Sequence, residues 1–258
     1  GYKHPFRLTA DGKPLTSPSV TTVLKLVDKS GMSQWAADQT LQWAIDHAQD
    51  LLGRSEDQAM RGGRYRWRAA RDERAQVGTG VHEHVEAEHT GSWEFPELDE
   101  EQEKIMDQWR LFNERYDVTP LRSEFTIWNF SLDYAGTADG LWIVRDRETH
   151  ESFLCVIDVK TSKSTWPEHW MQLAALKHAD VIMEKGPGGW IEIDPRELYA
   201  WDQASVGIVH LRADSNKFIT ITHQEVEMRY AQFAHYRKLW SLGREIDTLR
   251  KDNERGAF

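Results

Sequence analysis

Cysteine is almost absent from this 258-residue chain, in which Cys155 is the only thiol. One cysteine excludes an intramolecular disulfide, a four-cysteine zinc site and a cysteine-held iron–sulfur cluster, and it fits a reducing compartment. Long apolar runs are missing as well. Nothing in the sequence approaches a bilayer span, and the opening Gly-Tyr-Lys-His-Pro lacks the apolar stretch of a signal peptide. The expectation is a soluble, cytoplasmic protein with no membrane partner. A basic excess is also lacking: 42 Asp and Glu stand against 32 Lys and Arg, a formal net charge of -10. That balance weighs against indiscriminate attraction to duplex phosphates, but not against a local site. What is abundant is apolar. Hydrophobic residues at 40% and aromatics at 11% exclude intrinsic disorder and give a chain of this length a sizeable core, as one globular unit.

No internal repeat or low-complexity segment is present, so periodicity and punctuation organise the chain. Residues 5–18 carry three prolines and a Gly turn (Asp11-Gly12-Lys13-Pro14), and Ser19-Val20-Thr21-Thr22-Val23-Leu24 opens a helix or strand. Residues 33–52 read as a helix with Ser33 as N-cap and Trp35, Leu41, Trp43, Ile45 and Leu51 among its apolar positions. Another helix runs from Val77-Gly78-Thr79-Gly80-Val81-His82 to about His89. Ile105, Trp109, Phe112 and Tyr116, spaced 4, 3 and 4, make 100–116 amphipathic and helical. The period then changes. Residues 124–128, 138–144 and 153–159 are β-branched and aromatic and read as three consecutive strands. Residues 166–185 read as a helix stopped by Gly186-Pro187-Gly188-Gly189, followed by strands at 206–211 and 218–222. A long C-terminal helix closes the chain, with Val226, Tyr230, Phe233, Leu242, Ile246 and Leu249 facing one way. The order α-β-β-β-α-β-β-α predicts an α/β (α+β) fold, a central mixed sheet flanked by helices. An N-terminal helical region (1–75) packs on a core (76–258) as one structural unit.

The stretch that carries chemistry is Gly136-Thr137-Ala138-Asp139-Gly140, followed by Val156-Ile157-Asp158-Val159-Lys160-Thr161. Asp158 and Lys160 lie two apart on a strand and project from one face. A strand-borne Asp-x-Lys beside a second carboxylate is what phosphodiester hydrolysis needs. Hard oxygen ligands hold Mg2+ or Mn2+, and an ammonium orients the attacking water and offsets phosphate charge. The tripeptide alone is unspecific: 12 Lys and 42 acids give about two acid-x-Lys matches by chance, and two occur. The other, Asp11-Gly12-Lys13, sits in a turn. Asp158 differs because the apolar run Phe153-Leu154-Cys155-Val156-Ile157 leads into it, so the charged pair either faces a cleft or is a structural ion pair at a strand end. His82, on the helix ahead of the strands, and Gln172, on the helix after them, are placed to join such a site.

Helical Gly-Thr-x-x-His (Gly78, Thr79, His82), strand Gly-x-x-Asp (Gly136, Asp139), strand Asp-x-Lys-Thr (Asp158, Lys160, Thr161) and a helical Gln (Gln172) occur in that order. Together they resemble the RecB-like branch of the PD-(D/E)XK nuclease superfamily, which includes phage exonucleases of the lambda type. Ser-Val-Thr-Thr-Val-Leu (19–24) with Trp35-Ala36-Ala37 is similar to the N-terminal helical part of phage members, so the resemblance spans roughly residues 17–222. It implies a restriction-endonuclease-like core and a Mg2+- or Mn2+-dependent exonuclease acting on linear DNA ends, of phage or bacterial origin. By the same resemblance Asp139 and Asp158 are carboxylate ligands, and the Val159 carbonyl and His82 are further ligands. Lys160 positions the attacking water, and Gln172 supports the site or contacts the DNA backbone. Some nucleases of this superfamily recruit an acid from the region of Glu124. Two features depart from the pattern. Leu176 stands where Tyr is expected, and the cluster-binding cysteines of the iron–sulfur members are missing.

Other stretches carry weaker signals. His82-Glu83-His84-Val85-Glu86 is not a zinc-protease motif, because Glu86 occupies the second imidazole position. Glu86 reads as a solvated helix residue or a partner of His82. Residues 61–74 hold six Arg and two acids, with Arg64, Arg68 and Arg71 on one helical face and Tyr65 and Trp67 interleaved. This is either a phosphate-tracking, base-stacking surface or a solvated helix. Thr161 and Trp166 are further candidates for DNA contact. Most of the twelve tryptophans read as core, including Trp43, Trp109, Trp128, Trp142 and Trp170. Two alternatives remain: an inactive DNA-binding module of the same fold, and a two-carboxylate glycoside hydrolase, in which Lys160 has no place.

Overall fold

A computed structural model describes residues 1–27, 30–92, 94–186, 188–198 and 200–255. The chain opens with a hairpin, β1 (Tyr2–Leu8) and β2 (Pro14–Ser17), so the Pro-rich stretch pairs as a small sheet around the Gly12 turn, where φ is +76°. Helix α1 (Val20–Val23) follows, capped by Ser19, whose hydroxyl accepts the Thr22 amide at 3.0 Å. Then come α2 (Ser30–Asp46), α3 (Ala48–Leu51), α4 (Glu56–Gly63) and α5 (Arg66–Thr90). Ser33 therefore lies inside α2 rather than capping it, and Leu41 and Ile45 are exposed, not core. The predicted arginine face is also broken. Arg64 caps α4, the backbone turns at Tyr65, and only Arg68 and Arg71 share α5. α5 also runs through the expected boundary at 75–76.

Helix α6 (Glu100–Arg115) matches its sequence expectation. Asp99 and Gln102 form a reciprocal capping box at 2.8 Å each way, three acids occupy the positive first turn, and Arg115 sits in the last. It runs directly into β3 (Tyr116–Asn129), which pairs with β4 (Tyr134–Asp146), which pairs with β5 (Ser152–Lys160). The expected helix at 166–185 divides. α7 (Pro167–Lys177) ends near His178, and β6 (Val181–Gly186) pairs with the outer edge of β3. Edge pairing of the β-branched Val181-Ile182 run overrides the helical reading. β7 (Gly189–Ile193) then folds back on β6, so the glycines expected to stop a helix serve a hairpin turn, with Gly189 at φ +114°. Pro187 lies outside the described residues. β8 (Ser205–Arg212), β9 (Ser215–Thr220) and α8 (His223–Arg255) complete the chain.

The result is a mixed α/β architecture around a seven-stranded sheet ordered β7-β6-β3-β4-β5-β8-β9, in which only β5 and β8 run parallel. β5 lies deep in the sheet, and its side chains alternate between two cores. Cys155, Ile157 and Val159 pack with Val77, Val81 and Val85 of α5 and Ile105, Trp109 and Phe112 of α6. Val156 faces Val20 of α1, Leu173 and Leu176 of α7, and Val226 and Phe233 of α8. Burial on both faces explains why this strand reads as an unbroken apolar run. On α8 the apolar contacts with the body come from Val226, Phe233 and the partly buried Tyr230, Tyr236 and Trp240. Leu242, Ile246 and Leu249 are exposed, because nine residues from Phe233 to Leu242 turn the helix by about 180°. Among the described residues no helix is long and apolar enough to cross a membrane.

His89, at the end of α5, stands edge-on to Trp142 at 4.5 Å and to Trp109 at 5.6 Å. Burial lowers its pKa below the ordinary 6.5, with Glu88 opposing. The folded chain therefore binds this proton less readily than the unfolded chain, and stability is lost as pH falls below that ordinary value. Denaturant unfolding at pH about 7.5 and about 5 is expected to show a smaller acid loss in His89→Phe than in the parent. Equal losses would show that this imidazole is not a source of the dependence.

Candidate active site

The sheet register brings three carboxylates into line. Glu124 of β3 lies between the pairs Ser123↔Gly140 and Phe125↔Ala138, opposite Asp139 of β4. β4 and β5 pair as far as Gly140↔Ile157, and the next step along each strand is Asp139 and Asp158. Beyond that last pair the Asp139 carboxylate stands in for a backbone partner: its Oδ2 accepts the Val159 amide at 2.7 Å. His82 of α5 covers the same carboxylate, with Nδ1 3.3 Å from Oδ2. On β5, Lys160 Nζ lies 2.6 Å from Asp158 Oδ2, and the two side chains retain only 19% and 3% of their exposure. An ion pair so buried is not a solvated surface pair.

Electrostatics follow from this crowding. Burial pushes the Asp158 carboxyl above its ordinary pKa; the Lys160 ammonium opposes the shift and Asp139 adds to it. For Lys160, burial works against the charge, yet Asp158 and Asp139 more than offset it and hold the ammonium protonated. Glu124 is pushed up to about 7 by desolvation, then by Asp139, Glu86 and Asp158, although solvent reaches its side chain. Its backbone is left-handed, φ +45°, a conformation that costs a non-glycine residue about 1–3 kcal/mol and tends to collect at functional sites.

An open groove of about 450 Å3 runs along α5 to Glu124 of β3, lined by Ala75, Gly78, Thr79, His82, Glu83, Glu86 and Glu124. Glu86, one turn after His82, thus belongs to the site. Its spacing from His82 on one helix face was the available signal, but the same spacing suits a solvated face. Thr161 approaches α5, its Oγ1 3.3 Å from where a Cβ on Gly78 would stand. Gln172 is half-buried on α7, and among the described residues no hydrogen bond joins it to Asp139, Asp158 or Lys160. Leu176, where Tyr was the expectation, is buried in the core, and a Cβ on Gly136 would come within 2.8 Å of its Cδ2. Apolar packing of α7 on β4 takes the place of a hydroxyl there.

The surface candidates lie further out. Arg68 stacks over Tyr65 and Trp67 at 4.7 and 5.3 Å, and Arg71 lies 5.6 Å over Trp67 while pairing with Asp72 at 2.7 Å. Trp166 is exposed at the start of α7. Trp43 is only half-buried, against Gly62 and Gly63, whereas Trp109, Trp128, Trp142 and Trp170 are buried as expected. The Cys155 thiol is buried between the layers and pushed up to about 12, which leaves it unreactive.

The donor set suits a hard divalent cation: two carboxylates in register, an imidazole beside one of them and a surplus of negative charge that Lys160 alone does not neutralise. Among the described residues, no three His, Cys, Asp or Glu side chains are gathered closely enough to hold an ion as they stand. No protein-family model and no curated protein sequence matches the chain.

Proposed function

We propose that the protein is a metal-dependent DNA nuclease, an exonuclease working from the ends of linear DNA in DNA processing, recombination or repair in a bacterial cytoplasm. The observation that carries the reading is the buried Asp158–Lys160 pair beside Asp139, with His82 standing between that carboxylate and an open groove. A second carboxylate, an imidazole and an acid with a raised pKa and a left-handed backbone stand around this pair, and such perturbed groups cluster at functional sites. Mg2+ or Mn2+ held by His82, Asp139, Asp158 and the Val159 carbonyl, with Glu124 at hand, would supply Lewis-acid polarisation of the phosphate. The Lys160 ammonium, kept protonated by two carboxylates, orients the attacking water and offsets charge developing on the phosphate oxygens. The water oxygen forms a new bond to phosphorus as the bond to the leaving ester oxygen breaks, the water's proton passing to solvent and the leaving oxygen taking a proton from solvent. Thr161 and Trp166 follow β5 toward the strand being cut, and Arg68 and Arg71 hold phosphates further along.

Product analysis on 5′-labelled, 3′-labelled and circular DNA tests this reading. Mononucleotides or short oligomers released from linear DNA, with closed circles spared, support it; intact linear DNA with either metal overturns it. One observation favours a second reading, a DNA-binding module without hydrolysis: no ready three-residue metal group stands among the described residues. That reading gives DNA binding without products.

The arginines provide a separate expectation. Arg68→Ala and Arg71→Ala should each weaken binding to a linear duplex regardless of sequence and reduce the salt slope of log Kd by about 1. Unchanged slopes would place the DNA elsewhere.

A further inference from the structure

We propose that the projecting end of α8 joins a second copy of this chain as a parallel two-stranded coiled coil, so that the chain is a dimer in solution. α8 has 33 residues, a length of about 50 Å. Its inward face, Val226, Tyr230, Phe233 and Trp240, packs on the body, and Arg237 bonds the Asp133 carbonyl at 2.9 Å. From 242 to 253 every residue is exposed.

That free end is not a uniformly polar helix. Leu239, Leu242, Ile246 and Leu249 are 57, 45, 56 and 64% exposed and are spaced 3, 4 and 3. Extended in the same frame, the stripe reaches back through His235, Gln232 and Met228, which is 62% exposed, and forward to Asn253. The seam lies opposite the face that meets the body, so a partner helix does not compete with the fold. Leucines with one isoleucine at heptad spacing on a solvated helix are what a coiled coil buries.

The flanking residues identify the occupant. With Leu239 and Ile246 at a and Leu242 and Leu249 at d, Glu245 falls at g and Arg250 at e. In a parallel, in-register pair, g of one helix faces the following e of the other. Glu245 then meets Arg250 of the second copy, twice by symmetry. Asn253 falls at a, where the two copies set Asn against Asn, a feature that selects two strands and fixes register. Ile at a with Leu at d favours the same number. This seam is complementary to itself, which singles out a second copy rather than an unrelated apolar helix.

Sedimentation of the full chain across a concentration series tests this. The parent should approach twice the 30.0 kDa chain mass, and Ile246→Asp, at a solvated position, should return it to the monomer mass with unchanged circular dichroism. Glu245→Arg alone and Arg250→Glu alone should each raise the dimer dissociation constant at least about tenfold, and the double exchange should restore it. A parent that stays monomeric, a dimer untouched by Ile246→Asp, a higher oligomer, or a double exchange that fails to restore association would each overturn the proposal. None of these outcomes bears on nuclease activity of the monomer.

Discussion

Lys160→Ala is expected to lower the rate of cleavage of linear duplex DNA by at least about 100-fold, the usual cost of removing a group that orients the nucleophile or stabilises transition-state charge. The ammonium is buried, lies 2.6 Å from Asp158 and is held protonated by Asp158 and Asp139, and alanine leaves no cation at that position. The same change also leaves Asp158 buried without its cation, and breaking a buried pair costs about 3–5 kcal/mol when the remaining charge stays uncompensated. Rate and thermal unfolding therefore need to be measured on one preparation. A purely structural pair would shift the melting temperature while the folded fraction kept its rate; the proposed role requires loss of rate in the folded fraction.

Phe112→Ala should cost about 3–5 kcal/mol of stability. The ring is fully buried, parallel to Trp109 at 5.5 Å, and seals α6 on the sheet. For a chain of this size each kcal/mol moves the midpoint by about 2–4 °C, so the expected drop is roughly 6–20 °C. Leu41→Ala, at a position 60% exposed, should stay within about 0.5 kcal/mol. A small loss at Phe112 would mean that the layer between α5, α6 and the sheet is looser than its packing shows.

The central layer was legible because its signals are local. The 4-3-4 spacing of Ile105, Trp109, Phe112 and Tyr116 marks α6 closely, and the apolar run ahead of Asp158 marks a strand buried on both faces. The meeting of Asp139, Asp158, Lys160 and His82 was also legible from motif order. Their exact contacts were not, because they depend on where β4 and β5 stop pairing. Sequence reasoning missed β6 and β7, since Val181-Ile182-Met183 is as compatible with a helix as with an edge strand until β3 offers its outer edge. It also joined Leu242, Ile246 and Leu249 to the face of Phe233, where only helix geometry separates them. Part of the acid excess is local: residues 94–107 alone hold seven acids against one Lys, on exposed positions of α6 and its approach, while Glu83, Glu86 and Glu124 line the groove and Asp139 and Asp158 hold the buried Lys160 ammonium.

The most direct measurement follows an end-labelled linear duplex with the parent and with Asp158→Asn, each in Mg2+ or Mn2+ and again in EDTA. Metal-dependent release of labelled product by the parent, abolished both by EDTA and by the substitution in a folded variant, is the expected result. Undiminished cleavage by folded Asp158→Asn, or no metal-dependent cleavage by the parent, would contradict the account.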